Sequence, residues 1–133
     1  MRADPVGFAR IQWETWSPPG WFDETEFRAT AQAFANPDWP EITLNAYRSR
    51  WRSESFDPRY DALQQRLMEI KNLTTPTLMI QGGSDFCDEP ASSEGQERFF
   101  SAGYRRLLLD GVGHFPAREA PEEVLKAVME HLS

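Results

Sequence analysis

The chain has 133 residues, a length that suggests one domain or part of one. Apolar residues make up 40% and charged residues 26%, an ordinary globular balance. The net charge of −7 argues against binding to nucleic acid or to an anionic membrane surface. No apolar run approaches the length that spans a bilayer, and one cysteine allows neither an internal disulfide nor a cysteine-based zinc site. We therefore expect a soluble cytoplasmic protein.

The first seventy residues predict helices separated by prolines. The segment FDETEF predicts a helix over about 24–34, with Asp23 as the N-cap and Glu26 closing a capping box. The segment NPDWPEITLNAYRSRW predicts a second helix, with Asp38 as the N-cap and Glu41 closing the box. That helix would place six residues on one side: Trp39, Ile42, Ala46, Tyr47, Arg50 and Trp51.

A third helix is predicted from DPRYDALQQRLMEI, with Asp57 as the N-cap and Pro58 at the first helical position. Its apolar face would consist of Tyr60, Leu63, Leu67 and Ile70. No strand pattern precedes Thr74. The first seventy residues are therefore predicted to form helices separated by prolines, without strands.

The second half follows a different pattern. The runs TPTLMIQGGSD and YRRLLLDGVGH are short, apolar and end at glycine, as buried parallel strands do. Between them, EPASSEGQERFF predicts a short helix interrupted at Gly95. The final segment predicts a helix that begins at Pro121 and carries an apolar stripe, formed by Val124, Leu125, Val128, Met129 and Leu132. This β-α-β-α order predicts a parallel sheet with right-handed crossovers.

Two parallel strands do not make an independent sheet. Both faces of each strand are apolar and need cover, and both outer edges would be unpaired. We therefore expect either self-association, pairing with a partner chain, or a longer parent protein.

Two ionisable residues follow the predicted strands. Asp85 comes after LMIQGGS and His114 after LLLDGVG. Sites in open parallel sheets form just past the carboxyl ends of the strands, so these two side chains are expected to meet. A carboxylate that accepts from one imidazole nitrogen leaves the other nitrogen able to take a proton from a nucleophile.

Nearly the whole chain resembles the C-terminal part of an α/β-hydrolase-fold enzyme. PTLMIQGGSD is similar to the strand that ends in the triad acid, and LLLDGVGHFPAREAPEEVLKAVMEHL to the last strand, histidine loop and closing helix. WSPPGWF, AFANPDWPEITLNAYRSRW and DPRYDAL resemble the helical cap of a bacterial subset near the epoxide hydrolases and haloalkane dehalogenases. The implied fold is an incomplete α/β-hydrolase fold without its N-terminal strands. A cap region would cover 1–72, and the β-α-β-α end of the core would cover 73–133.

The resemblance implies that Asp85 is the triad acid and His114 the triad histidine. The family's nucleophile lies on a Gly-x-Ser-x-Gly or Gly-x-Asp-x-Gly elbow, and neither pattern occurs in these 133 residues. The oxyanion loop is also missing. The implied parent reaction is two-step covalent hydrolysis of a small, largely apolar ester, epoxide or haloalkane, with no metal or organic cofactor.

Several residues have competing interpretations. Asp88 is an alternative acid in the same loop, whereas Ser84 is interpreted as structural and Asp110 as a turn former. The aromatic residues of the cap helix, Trp39, Tyr47 and Trp51, either pack the cap onto the core or line the substrate pocket, where Tyr47 could donate to an oxyanion or epoxide oxygen. Trp16 and Trp21 are expected to anchor the entrance to the cap. Cys87 is expected to be unreactive.

Three hypotheses remain for the chain itself. It is a hydrolase fragment that is inactive alone, or one half of a split hydrolase completed by another polypeptide, or a non-catalytic module that associates through its open sheet edge.

Overall fold

The computed structural model describes residues 1–52 and 57–133. This part of the chain contains helices and a small two-stranded parallel sheet, so the protein is mixed α/β. The elements are α1 (Pro5–Thr15), α2 (Glu24–Ala31), α3 (Trp39–Arg48), α4 (Asp61–Glu69), β1 (Thr77–Gly82), β2 (Tyr104–Leu109), α5 (Pro116–Glu119) and α6 (Pro121–Leu132). Short 3₁₀ turns cover Gln32–Ala35, Pro58–Tyr60, Pro90–Ser93 and Gln96–Phe99.

The chain forms two compact units. The first comprises residues 1–10 and 24–71, and the second comprises residues 11–23 and 72–133. The assignment of 1–72 to a cap and 73–133 to the end of a hydrolase core stays a prediction.

Helix α1 was not expected from the sequence. Asp4 immediately precedes it, and the Asp4 carboxylate accepts a hydrogen bond of 2.7 Å from the backbone N–H of Gly7. Pro5 occupies the first helical position, where the missing N–H costs nothing. The sequence signal for this helix start is thus an Asp–Pro pair, Asp4 and Pro5. A pair of the same kind, Asp57 and Pro58, correctly predicted the start of a later helical segment.

The predicted capping box at Asp38 and Glu41 is wrong. Asp38 does occupy the N-cap position of α3, but its side chain makes no capping hydrogen bond. The Glu41 carboxylate instead pairs with the guanidinium of Arg2, with Nη2 2.9 Å from Oε2. An ion pair within the first unit therefore takes the side chain that was expected to close the box.

The predicted extent of the second helix is also wrong. Helix α3 ends at Arg48, and residues 49–51 form a turn in which the backbone N–H of Trp51 donates to the carbonyl of Arg48. Arg50 and Trp51 therefore lie beyond the helix, and their position on a common helical face with Trp39 is not observed.

The third predicted helix begins as expected. The Asp57 carboxylate accepts from the backbone N–H of Arg59, and a 3₁₀ turn leads into α4. The predicted apolar face of this segment is exposed along its whole length, at Tyr60, Leu63, Leu67 and Ile70.

The predicted strands pair in parallel as expected. The register runs from Thr77 opposite Tyr104 to Gly82 opposite Leu109. The segment between them is interrupted at Gly95, as predicted, where φ is +69°. It forms two 3₁₀ turns instead of an α-helix, because Glu94 is extended after the first turn and Gly95, in a left-handed conformation, precedes the second.

Helix α6 matches its predicted start but buries only part of its stripe. Val124 and Val128 of the stripe are partly covered, whereas Leu125, Met129 and Leu132 are exposed. The buried residue of the helix is Ala127, which was not part of the predicted stripe. Most residues of β1 and β2 are only half-buried. The second unit therefore presents exposed apolar surface.

Candidate functional site

The site lies in the second unit, past the carboxyl ends of β1 and β2. Beyond the last strand pair, the backbone N–H of Gly83 donates to the carbonyl of Leu109 at 2.7 Å. The N–H of Ser84 donates to the carbonyl of Val112 at 2.8 Å. These bonds carry the strand pairing into the two loops, so the loops leave the sheet side by side.

Gly82 allows the two loops to approach closely. A Cβ atom on this residue would overlap the carbonyl oxygens of Val112 and Gly113. The glycine at the end of β1 is therefore needed for the contact between the loop of Asp85 and the loop of His114.

Asp85 and His114 meet as the sequence predicts. The Nδ1 atom of His114 lies 3.0 Å from Oδ1 and 2.9 Å from Oδ2 of Asp85. The Asp85 side chain is only 6% exposed, and that of His114 is 28% exposed. A buried carboxylate at Nδ1 favours the tautomer with the proton on Nδ1, which leaves Nε2 as the basic nitrogen.

The loop after β1 wraps around the Asp85 carboxylate. Its Oδ1 atom accepts from the backbone N–H groups of Cys87 at 2.8 Å and Asp88 at 2.9 Å. Of the two candidate acids, Asp85 thus contacts the imidazole, while Asp88 contributes its backbone amide to hold that carboxylate.

Aromatic rings pack around the imidazole. The rings of Trp16 and Phe115 meet the His114 ring edge to face, with centroid distances of 4.8 Å and 5.1 Å. Trp21 stacks on Phe115 at 5.1 Å and donates its Nε1–H to the carbonyl of Trp13. The tryptophans of WSPPGW thus form one aromatic cluster with the histidine loop, and an anchoring role at a cap entrance stays a prediction.

A second polar group at the site was not predicted from the sequence. Ser17 and Glu119 form a hydrogen bond of 2.7 Å between hydroxyl and carboxylate. Between them they accept from three consecutive backbone amides of the histidine loop, those of Gly113, His114 and Phe115. The signal available was the Pro116 that opens α5, since a carboxylate three residues after such a proline is well placed to reach back to free N–H groups.

The acid loop has its own polar support. Gln81, in β1, donates from Nε2 to the carbonyl of Asp88 at 2.9 Å. Ser93 contacts the Gln81 side-chain oxygen and accepts from Nε of Arg106 at 2.7 Å. Gln81 and Ser93 are buried, so these bonds stabilise the chain that follows Asp85.

Cys87 is exposed and adjacent to the site. Partial burial and the charges of Asp85 and Asp88 raise the pKa of its thiol above the ordinary value. A raised pKa disfavours the thiolate, which supports the expectation that this cysteine is unreactive.

The three predicted substrate-binding residues belong to the first unit. Trp39 is half-buried and contacts the Phe34 ring at 4.9 Å. Tyr47 is exposed beneath the guanidinium of Arg50, and Trp51 is 85% exposed. Their role in binding substrate stays a prediction.

The chemistry available at the site is proton transfer by a carboxylate-oriented imidazole. Within residues 1–52 and 57–133, no three His, Cys, Asp or Glu side chains gather as metal ligands. Over the same ranges, no helix has both the length and the apolar character needed to cross a membrane.

The chain is similar in sequence to a known enzyme. The chain is 27% identical over 129 residues to epoxide hydrolase A of Mycobacterium tuberculosis (strain ATCC 25618 / H37Rv). The match covers 97% of this chain but 37% of that enzyme, so the chain spans little more than a third of its relative's length. No family model matches the chain, and no solved structure matches it. The chain thus resembles a part of an epoxide hydrolase.

Proposed function

We propose that this chain is the C-terminal part of an epoxide-hydrolysing enzyme with the α/β-hydrolase fold, in which Asp85 and His114 are the acid and the histidine of the triad. The observation that carries the proposal is the bond between their side chains at the ends of neighbouring parallel strands. The similarity to an epoxide hydrolase over almost the whole chain supports it.

The proposed substrate constrains the nucleophile. Attack by a serine on an epoxide carbon would give an ether, which water does not cleave under mild conditions. Attack by a carboxylate gives an ester, whose carbonyl water can attack. An epoxide or haloalkane substrate therefore requires an aspartate-type nucleophile, whereas an ester substrate would suit a serine.

His114 acts in the second step of the proposed reaction. Its Nε2 atom takes a proton from water while the resulting hydroxide attacks the ester carbonyl, and the ester C–O bond breaks to release the diol. Asp85 accepts the Nδ1–H bond and stabilises the imidazolium that forms. The proton on Nε2 then passes to the departing alkoxide.

The nucleophile is proposed to lie on polypeptide outside these 133 residues. Neither elbow pattern occurs in the sequence, and the matched relative is much longer than this chain. On this proposal the chain alone is inactive, and a supplied N-terminal portion would restore activity, whether in one longer protein or as a separate subunit.

Complementation tests this proposal. The chain is mixed with the part of the Mycobacterium enzyme outside the matched region, and diol formation from styrene oxide is followed. We expect no turnover by the chain alone, turnover by the mixture, and loss of turnover in His114→Ala but not in the control His131→Ala. Turnover by the chain alone that His114→Ala abolishes would exclude an external nucleophile. A stable mixed complex that forms no diol would contradict the hydrolase assignment.

A non-catalytic association function is the second candidate. It is favoured by the exposed apolar side chains of the second unit, notably Leu108 in β2 and Leu125 and Met129 in α6. Exposed apolar surface of this kind marks sites of contact with another chain.

A further inference from the structure

We infer that Trp16 and Ser17 form a hydrogen-bonded bridge between the loop of Asp85 and the loop of His114. Glu119 holds this bridge in place. Asp85 and His114 are 29 residues apart on separate loops, so their bond forms only if both loops are held. The inference rests on the proposed function, because it assigns positioning residues to the proposed catalytic pair.

The bridge is hydrogen-bonded to both loops through the adjacent residues Trp16 and Ser17. The carbonyl of Trp16 accepts from the backbone N–H of Phe86, the residue after Asp85, at 3.1 Å. The hydroxyl oxygen of Ser17 accepts from the backbone N–H of His114 itself at 2.9 Å. Two successive residues thus hold the backbone beside each member of the pair.

The hydroxyl of Ser17 is oriented by Glu119. Ser17 is 1% exposed, and its hydroxyl donates its one proton to Oε1 of Glu119 at 2.7 Å. With that proton engaged, the oxygen faces the His114 N–H only as an acceptor. The direction of both bonds is therefore determined.

Glu119 accepts hydrogen bonds from the residues on both sides of His114. Its Oε2 accepts from the N–H of Gly113 at 2.6 Å, and its Oε1 accepts from the N–H of Phe115 at 2.9 Å. An amide side chain has one acceptor oxygen and would turn an NH₂ group toward one of these donors. Both carboxylate oxygens are thus needed to hold the backbone around His114.

The backbone of Gly113 packs tightly against the side chain of Ser17. A Cβ atom on Gly113 would overlap the side chain of Ser17. The histidine loop therefore packs directly against the bridge. A shift of Ser17 would move the His114 backbone, and with it the ring nitrogen that faces Asp85.

A positioning role differs measurably from a general contribution to stability. If Ser17 and Glu119 position the imidazole, their loss changes the tautomer that Asp85 selects. If they only stabilise the fold, the melting temperature falls but the folded protein keeps the proton on Nδ1.

The test uses Ser17→Ala and Glu119→Gln in the full chain, with Glu130→Gln as the matched control. Glu130 pairs with Arg105 at the surface, and its carboxylate is hydrogen-bonded there and not to the backbone amides of the histidine loop. Long-range ¹H–¹⁵N correlation spectra report the tautomer of His114, and amide hydrogen exchange reports its N–H. We expect about tenfold faster exchange of the His114 amide in Ser17→Ala, from the loss of one buried hydrogen bond. In both variants we expect the Nδ1–H form to lose its majority, while the control keeps it.

Two results would overturn the inference. One is an unchanged tautomer in folded variants, whatever their melting temperature. The other is failure of both variants to fold, because the residues would then maintain the fold instead of positioning the ring. If only Ser17→Ala unfolds, the spectrum of Glu119→Gln decides. None of these readouts needs turnover, so a shifted tautomer together with failed complementation would reject the proposed function alone.

Discussion

The carboxylate of Asp85 places both of its oxygens within 3.0 Å of Nδ1 of His114, while one of them, Oδ1, also accepts from two backbone amides of its own loop. The acid is therefore bound to the imidazole and to the loop that carries it. These two attachments can be separated by mutation.

We predict different effects for Asp85→Asn and Asp85→Ala. Asparagine keeps an oxygen that can accept from the loop amides, whereas alanine leaves them unpaired and should cost about 1–2 kcal/mol more of unfolding free energy. In the complemented enzyme, Asp85→Asn should still lower turnover by about 10⁴-fold, since the imidazole tautomer is no longer enforced. Thermal denaturation and diol formation measure the two effects. Equal stability of the variants would contradict the role assigned to Oδ1.

Gly82→Ala is predicted to destabilise the second unit more than Gly83→Ala. A Cβ at position 82 overlaps two carbonyl oxygens of the histidine loop, and relieving such overlap costs about 1–3 kcal/mol. A Cβ at position 83 would lie 3.1 Å from the carbonyl oxygen of Leu109, which a small shift relieves. Chemical denaturation of both variants gives the comparison. A reversed order would show that the loops approach each other less closely than the structure indicates.

The thiol of Cys87 is predicted to react slowly with iodoacetamide below its raised pKa. Burial, and then the neighbouring carboxylates, raise the pKa and so disfavour the thiolate, which is the reactive form; the rate should therefore fall below that of the unfolded chain and rise with pH. Asp88→Asn removes one of these charges, lowers the pKa and should speed the reaction about twofold at pH near 8. Asp61→Asn, in α4, serves as the control. An unchanged rate in Asp88→Asn would rule out the electrostatic cause.

The exposed side of α6 is predicted to mediate association. Leu125 and Met129 are 62% and 60% exposed, and charging both should weaken self-association or binding to a complementing half by about tenfold or more. Sedimentation velocity over a concentration range compares the wild type with the double variant Leu125→Glu, Met129→Glu. Glu122→Gln on the same helix is the control. A wild type that stays monomeric and binds no complementing half would refute this prediction.

Predictions from local patterns succeeded where local physics decides the outcome. Strand β1 ends at Gly82 and β2 ends two residues before Gly111, and the bond between Asp85 and His114 followed from placing these residues after parallel strands. Helix α6 begins at Pro121 because proline at a first helical position sacrifices no hydrogen bond. In each case a few adjacent residues carry the signal.

Predictions failed where a distant residue competed. Glu41 would close a capping box in isolation, but Arg2 lies 39 residues away in sequence and takes its carboxylate. The missed contact between Ser17 and Glu119 joins residues that are 102 apart in sequence. The two side chains accept hydrogen bonds from backbone amides, which are present in every sequence. Neither partner choice leaves a trace in a local pattern.

The sequence by itself determined the two strands, the starts of the helical segments at Pro58 and Pro121, and the expectation that an acid in the loop after β1 meets His114, because each follows from short-range patterns or from the end of a strand. Only the tertiary structure decided that Asp85 and not Asp88 reaches the imidazole, that Trp16 packs on its ring, and that Ser17 and Glu119 hold its loop. These contacts depend on which distant groups meet after the chain has folded. Almost every residue has a backbone N–H, so the geometry of the folded chain, and not the residue type, decides which N–H a side chain binds.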